Sequence, residues 1–161
     1  MKIFISLFIV STFYFNLDLL EVRVQYNAAS KSKENSNDFY AAMSKYTSEN
    51  FVLLAYKGAS TTLKAKFSSD LMTKKKMFIE GAKMIEHSVE KDKMNPEIRL
   101  VRLSIQENTP KFLKYNLNIE EDKKLIISTF DKQNKSLKDY IKMYVKQSTV
   151  FSEKEKSTLL N

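Results

Sequence analysis

Apolar residues recur along this chain at intervals of three and four positions, the spacing that places them on one face of an α-helix. In the first such segment Asn16 can cap a helix whose apolar stripe consists of Leu17, Leu20, Val24 and Ala28. Comparable stripes predict helices at residues 39–46, 48–62, 69–92, 95–108, 118–130 and 136–145, with a short terminal helix from residue 152. No segment shows the alternation that is typical of a half-buried strand.

The clearest helix start in the sequence is Asn95-Pro96-Glu97. Asparagine is a favoured cap, proline suits the first helical position, and a carboxylate in the first turn interacts favourably with the helix dipole. The segment that follows, residues 98–105, is apolar on more than one side, so we expect it to be the central helix. Three further starts have a capping-box pattern. They are Asn118 with Glu121, Ser136 with Asp139, and Ser152 with Glu155.

Glycine and proline are scarce, with two of each in the chain. Sheets need these residues in their tight turns, so their scarcity argues for helices. Gly58 and Gly81 lie inside predicted helices, where glycine costs about 1 kcal/mol relative to alanine. We therefore expect both glycines to permit a close approach of neighbouring helices.

Residues 1–16 are predicted to be an export signal. Met1 and Lys2 precede Ile3–Phe15, an uncharged and mostly apolar run. Such a run has the length of a signal peptide and is too short to cross a bilayer as a helix. The expected location is therefore periplasmic or secreted, with no integral membrane span once the signal is removed.

The cleavage position and the role of this leader have alternatives. No pair of small residues of the usual cleavage type precedes Asn16, and a cut after Ser11 or Thr12 is a second option. A buried first helix and an uncleaved apolar anchor are the other interpretations. Beyond the leader there is no break in composition, so residues 17–161 are expected to form a single all-helical domain.

Composition removes several classes of function. The chain has no cysteine, which excludes disulfides, thiolate nucleophiles and thiolate metal sites. Its formal charge is +8, but most lysines are dispersed, and nucleic-acid binders usually add arginine and aromatic stacking at a defined surface. We interpret Lys74–Lys76 as a solvated helix face, with contact to phosphate or acidic lipid as the alternative. No nucleic-acid partner is expected.

The stretch GAKMIEHSVEKDKMNPEIR, residues 81–99, resembles the junction between consecutive tetratricopeptide repeats. In that family a small, a bulky apolar and another small residue line the second helix of a repeat, and Gly81, Ile85 and Ser88 match this spacing. Lys93 stands where the family usually has proline, and no period of about 34 residues recurs. The resemblance implies antiparallel helix pairs stacked as in that family.

A broader resemblance involves three segments, AYKGA at residues 55–59, NPEIR at 95–99 and RLSIQENTP at 102–110. They resemble a family of small exported helical proteins found mainly in Bacteroidetes, which has no assigned activity. This resemblance covers nearly the whole chain after the leader. It implies export and a helical-repeat-like fold, and it supplies no catalytic residue.

The strongest candidate for a binding site is formed by Arg99, Arg102 and Gln106. They fall at i, i+3 and i+7 and so share one face of the predicted central helix. Arginine suits bidentate binding of a carboxylate or phosphate, so this face can receive an acidic group. Alternatively, the arginines pair internally with carboxylates and hold neighbouring helices in register. Glu80, Glu86 and Asp122 are the carboxylates considered for that role.

The sequence offers no set of residues that could perform catalysis. His87 is the only histidine, and without cysteine or a nucleophile at a suitable spacing it predicts neither a metal site nor a base. The acidic run Glu120–Asp122 lies in the first turn of a helix, where the dipole explains it. We therefore expect no metal, no cofactor and no enzyme activity.

The predicted fold class is all-α, an antiparallel array of about six or seven helices arranged like tetratricopeptide repeats or as an irregular bundle. The predicted function is a non-enzymatic protein-binding or scaffolding module whose partner is an envelope protein or peptide. Helical-repeat stacks bind through an extended face, and this analogy supports the prediction. A helical bundle that binds a small apolar ligand is the alternative, because the chain has seven methionines and many aromatic residues.

Overall fold

The computed structural model describes residues 18–47 and 50–161, and in this part of the chain the structure is all helical with no strand. The predicted export signal, residues 1–16, lies outside the described residues. The helices are α1 (Leu19–Ala29), α2 (Lys33–Ser44), α3 (Phe51–Lys66), α4 (Leu71–Lys91), α5 (Pro96–Glu107), α6 (Ile119–Thr129), α7 (Lys135–Gln147) and α8 (Glu153–Leu160). Short 3-10 turns occupy Lys111–Leu113 and Phe130–Lys132.

The all-α class is thus confirmed, whereas the predicted count of about six or seven helices is not. The described part of the chain contains eight α-helices, the short terminal helix Glu153–Leu160 included. None of these helices combines the length and the apolar character needed to cross a bilayer.

Local sequence signals explain two of the helix starts. The Asn95 side-chain oxygen accepts hydrogen bonds from the backbone N–H groups of Glu97 and Ile98, at 3.0 and 3.2 Å, with Pro96 in the first turn. At α8 the predicted capping box of Ser152 and Glu155 is present in both directions. Each cap satisfies backbone donors that the helix cannot pair internally.

The other two predicted capping boxes are wrong. The helix α7 begins one residue before Ser136, and Asn134 is the cap that accepts from the Leu137 N–H at 2.9 Å. Asn118 makes no capping hydrogen bond to the backbone of α6; its side-chain amide donates to Glu121 instead, at 3.2 Å. The Ser136 hydroxyl has a partner that the local sequence does not reveal, since it accepts from Arg23.

The close approach predicted at the two glycines is confirmed between α3 and α4. A Cβ added to Gly58 would lie 2.6 Å from the carbonyl oxygen of Gly81, and one added to Gly81 would lie 2.5 Å from that of Gly58. No larger side chain fits between two backbones at this separation. These glycines therefore set the distance between the two longest helices.

Two hydrophobic clusters meet at α5, which confirms its prediction as the central helix. Ile98, Val101 and Ile105 belong to the first cluster, with α1, α2, α3 and α4. Leu100 and Leu103 belong to the second cluster, with α6, α7 and α8. Every residue of α5 from Pro96 to Gln106 is buried.

The apolar stripe predicted for α1 is wrong. Val22 and Ala29 are fully buried, whereas Leu20 and Val24 are 58% and 64% exposed. The helix begins at Leu19 with Asp18 as its cap. It turns its buried face so that Arg23 enters the interior, and two apolar side chains of the predicted stripe remain at the surface.

Candidate functional site

The predicted binding face on α5 is buried against α6, where its three side chains surround Asp122. Arg102 donates to the Asp122 carboxylate from Nε at 2.8 Å and from Nη2 at 2.7 Å, and Arg99 Nη1 lies 2.9 Å from Oδ1. Gln106 Nε2 lies 3.4 Å from Oδ2. Arg99, Arg102 and Gln106 are only 5%, 3% and 1% exposed. The structure thus brings the three residues together around an acidic group of the same chain.

Partly exposed carboxylates complete this cluster, which we call the Asp122 cluster. Arg99 Nη1 also pairs with Glu121 at 2.7 Å, and Arg102 Nη1 pairs with Glu86 at 2.8 Å. Internal pairing with Glu86 and Asp122 is confirmed, whereas Glu80 lies exposed on α4. An external acidic ligand would have to displace one of these partners, so binding at this face stays a prediction.

The charges of the Asp122 cluster stabilise one another despite burial. Burial raises the pKa of the Asp122 carboxyl, and its bonds to Arg102 and Arg99 oppose this rise by favouring the ionised form. For Arg102, burial disfavours the cation, but hydrogen bonds and charge from Asp122 and Glu86 raise its pKa above the ordinary value. The hydrogen bond from Arg99 lowers the pKa of Glu121. The cluster therefore joins α4, α5 and α6 through charged groups.

A second buried ion pair was not predicted from the sequence. Arg23 of α1 donates to Glu97 of α5 in a bidentate manner, with both N–O distances at 2.7 Å. Tyr56 of α3 donates to the same carboxylate at 2.9 Å, and Arg23 Nη1 donates to the Ser136 hydroxyl at 2.8 Å. We call this the Glu97 cluster. It links α1, α3, α5 and α7.

The scarcity of arginine was the signal that could have revealed this pair. The chain has three arginines among 27 basic residues, and all three are buried in ion pairs. The helix dipole accounts for a carboxylate at Glu97 but not for its burial, since Glu97 is 3% exposed and pairs with Arg23. In a lysine-rich chain, each arginine is better interpreted as one half of a buried pair.

Above the Glu97 cluster, a groove lies between α1 and α7, with a volume of about 610 Å³. Its floor includes Arg23, whose guanidinium lies 5.5 Å from the centre of the Tyr140 ring. Its apolar walls are formed by Leu20 and Val24 of α1 and by Met143 of α7, which is 40% exposed. We call this the α1–α7 groove.

The polar groups of the α1–α7 groove are already engaged. Burial raises the pKa of Tyr140 to about 12, so its hydroxyl is neutral at physiological pH. Arg23 is paired with Glu97, and at the rim Lys135 pairs with Asp139 at 2.7 Å. The groove therefore offers a ligand mainly apolar contact.

A second depression, of about 440 Å³, lies between α4 and the segment that connects α5 to α6. Ile79 and Lys83 of α4 line it together with Leu113 and Tyr115. His87 lies at its edge, exposed, with its ring 6.2 Å from that of Phe51. His87 is thus a residue of the helix surface.

Acidic residues are not grouped for metal binding in the part of the chain that the structure describes. No three His, Asp or Glu side chains in residues 18–47 and 50–161 are placed to hold a metal ion. In the run Glu120–Asp122, Glu120 pairs with Lys123, and Asp122 is fully buried against the arginines. The helix dipole accounts for the position of this run but not for the role of Asp122.

No family model matches the chain, and comparisons with curated proteins and with solved structures also give no match.

Proposed function

We propose that this protein is an exported, non-enzymatic helical protein that serves as a protein-binding or scaffolding module of the cell envelope. The observation that carries this proposal is the α1–α7 groove. Leu20 and Val24 are 58% and 64% exposed on α1, whereas Val22 and Ala29 of the same helix are fully buried. Contiguous apolar surface that faces solvent is typical of an interaction site.

The chemistry of the groove favours one kind of partner, a protein segment with an apolar helical face. Apolar side chains on both sides of the groove, Leu20 and Val24 on α1 and Met143 on α7, suit an amphipathic helix whose anchors at i, i+3 and i+4 enter between them. The exposed pair Lys135–Asp139 at the rim adds both signs of charge, which suits the polar edges of such a helix. An isolated carboxylate ligand is less suitable, because Arg23 on the floor is already paired.

The finer features of the fold belong to the same proposal. The close contact of α3 with α4 through Gly58 and Gly81 supports a stacked helix pair of tetratricopeptide type. Export rests on the apolar leader, and membership in the family of small exported helical proteins rests on the sequence resemblance. A fusion of residues 1–30 to a reporter enzyme active only outside the cytoplasm tests export, with a Lys2→Glu, Ile5→Asp, Phe8→Asp leader as the inactive control.

Site-directed photocrosslinking in cells tests the binding proposal. A photoreactive phenylalanine analogue replaces Val24 on one wall or Met143 on the other, and replaces Met94, 68% exposed outside the groove, as the matched control. We expect one shared protein adduct from Val24 and Met143, absent from Met94 and lost when Leu20→Ser is added to the Met143 variant. Adducts that are identical at all three positions, or none at the groove, would refute the proposal.

A second experiment tests the alternative that the groove binds a small apolar ligand. Native mass spectrometry of the purified protein reports any small molecule that remains bound. If a stoichiometric apolar compound is present in the wild type and lost in the Leu20→Ser, Val24→Ser variant, the groove binds a small apolar ligand and the proposed protein partner is refuted.

A further inference from the structure

The connection between α5 and α6 exposes two large apolar side chains that are not part of the α1–α7 groove. Phe112 and Leu117 are 80% and 83% exposed, and Leu113 between them is 37% exposed. Lys114 has a φ of 52°, a left-handed conformation that is uncommon outside glycine, and it ends the 3-10 turn. The segment thus presents apolar side chains outward at a sharp turn.

The exposure of these side chains is not the result of a loosely attached segment. Tyr115 packs its ring edge-on against Phe78 of α4, with the ring centres 5.6 Å apart. Its hydroxyl donates to Glu86 at 2.7 Å, and Glu86 in turn pairs with Arg102 of the Asp122 cluster. Tyr115 therefore anchors the segment on α4, while Phe112 and Leu117 face solvent.

Lysines surround these apolar residues. Lys111 and Lys114 are exposed in the same segment, and Lys83 of α4 lines the depression beside Ile79, which is 41% exposed. We call the six residues Ile79, Lys83, Lys111, Phe112, Lys114 and Leu117 the basic apolar surface.

The helix α4 extends this surface toward its N-terminus. By helical spacing Met72, Lys75 and Lys76 lie on the face of α4 that carries Ile79, and all three are exposed. The exposed carboxylates on neighbouring positions of α4 are Glu80 and Glu90, since Glu86 is already paired. After Leu117, the exposed carboxylates of Glu120 and Glu121 pair with Lys123 and Arg99. The exposed lysines therefore outnumber the unpaired carboxylates around the protruding apolar side chains.

From this combination we infer that the basic apolar surface docks on an anionic lipid bilayer. Phe112 and Leu117 enter the boundary between headgroups and acyl chains, and the lysines contact lipid phosphates while their stems lie along the apolar layer. The charge complementarity identifies the occupant as anionic. The shape favours a bilayer over an acidic protein, because Phe112 and Leu117 protrude from the connection and do not line a groove.

The first test follows the position of Phe112 with a single fluorophore. The chain contains no tryptophan, so Phe112→Trp is a unique reporter in the full-length protein, with Val24→Trp, in the α1–α7 groove, as the matched control. Vesicles of phosphatidylcholine with about one-third phosphatidylglycerol are added, and vesicles of phosphatidylcholine alone serve for comparison. We expect a shift to shorter wavelength and quenching by brominated lipid for Phe112→Trp only, and only with the anionic vesicles.

The second test measures the contribution of charge. The double variant Lys111→Gln, Lys114→Gln in the Phe112→Trp background is expected to weaken vesicle binding by about tenfold or more. Lys132→Gln with Lys146→Gln, both exposed and outside the α1–α7 groove, removes the same charge elsewhere and is expected to change binding by less than about twofold. All variants keep the same leader, so membrane binding by residues 1–16 contributes equally.

Three outcomes would overturn the inference. They are an unchanged Phe112→Trp spectrum, an equal response to neutral vesicles, and an equal loss of binding in the two lysine double variants. A response of Phe112→Trp to poly-glutamate but not to the anionic vesicles would assign the surface to an acidic protein partner, and it would overturn the bilayer as well. None of these results depends on the α1–α7 groove, so the proposed function is tested separately.

Discussion

The two sides of α5 carry ion pairs of opposite polarity. Toward α1 and α3, the helix contributes a carboxylate, Glu97, which accepts from Arg23 and Tyr56. Toward α6, it contributes two guanidinium groups, which share Asp122. The Glu97 cluster therefore holds one buried cation for one buried anion, whereas the Asp122 cluster holds two cations for one.

Because the Asp122 cluster holds two buried cations and one buried anion, further carboxylates at its edge are needed to balance the charge. Glu86 and Glu121 have side chains that are 42% and 56% exposed, and they supply the further negative charge at the edge of the cluster. Water screens the ion pairs that Glu86 and Glu121 make, so Asp122 provides most of the electrostatic stabilisation of the two buried arginines. The comparison indicates that the side of α5 facing α6 depends more heavily on a single residue.

Removing Asp122 is expected to have the largest effect. Asp122→Ala leaves two buried guanidinium groups without their shared partner, and breaking a buried ion pair costs about 3–5 kcal/mol. Urea denaturation followed by circular dichroism measures the free energy of unfolding. Glu121→Gln, on the exposed edge, serves as control with an expected loss below about 1 kcal/mol. Similar values for the two variants would contradict the comparison.

Removing the charge of Glu97, on the side of α5 that faces α1 and α3, is expected to lower the free energy of unfolding slightly less than removing Asp122. Glu97→Gln strands one guanidinium and keeps an acceptor for Tyr56, so we expect a loss of about 3 kcal/mol in the same measurement. Adding Arg23→Met removes the stranded cation and should restore most of this loss. If the double variant is less stable than Glu97→Gln, the Arg23–Glu97 pair is not the main interaction there.

Substituting Gly81 tests a close contact between α3 and α4 that involves no charge. In Gly81→Ala the new Cβ lies 2.5 Å from the Gly58 carbonyl oxygen and 2.9 Å from the Thr62 backbone nitrogen, so α3 and α4 must separate. Overpacking of this kind costs about 2 kcal/mol. The loss should be equal at low and high salt, since no charge is changed. A gain in stability would show that the helices separate without loss of packing.

The smallest effect is expected at Glu107, where α5 meets the turn after α7. Burial opposes ionisation there, but hydrogen bonds from Tyr144, Thr149 and Ser148 outweigh it and lower the pKa of this carboxyl. Glu107→Gln should cost about 1 kcal/mol at neutral pH. A lowered pKa stabilises the fold above the ordinary value of 4.5 and loses this contribution as the pH falls through the folded value. The gap between wild type and variant should therefore shrink in acid, and a constant gap would refute this assignment.

The features that could be predicted from the sequence are those encoded by neighbouring residues. The cap at Asn95 and the Ser152–Glu155 capping box depend on contacts within one turn. The burial of α5 follows from its apolar residues on more than one side. The close contact of the helices at Gly58 follows from the absence of a side chain in a helix interior.

The features that could not be predicted depend on partners distant in sequence. Arg23 and Glu97 are 74 positions apart, and nothing near either residue indicates the other. The inward position of Arg23 also exposes Leu20 and Val24. The α1–α7 groove and the error in the apolar face predicted for α1 therefore have the same cause. For Arg99 and Arg102, sequence spacing identified the shared face, but only the fold shows that Asp122 occupies it.

The position of α5 between the two hydrophobic clusters also has a consequence for how the protein unfolds. Since its side chains complete both clusters, neither half retains a closed core once this helix departs. The two halves should therefore melt in one cooperative transition, without a populated half-folded state. The amide protons of α5 should exchange with solvent only through global opening, which makes this helix the slowest-exchanging part of the molecule.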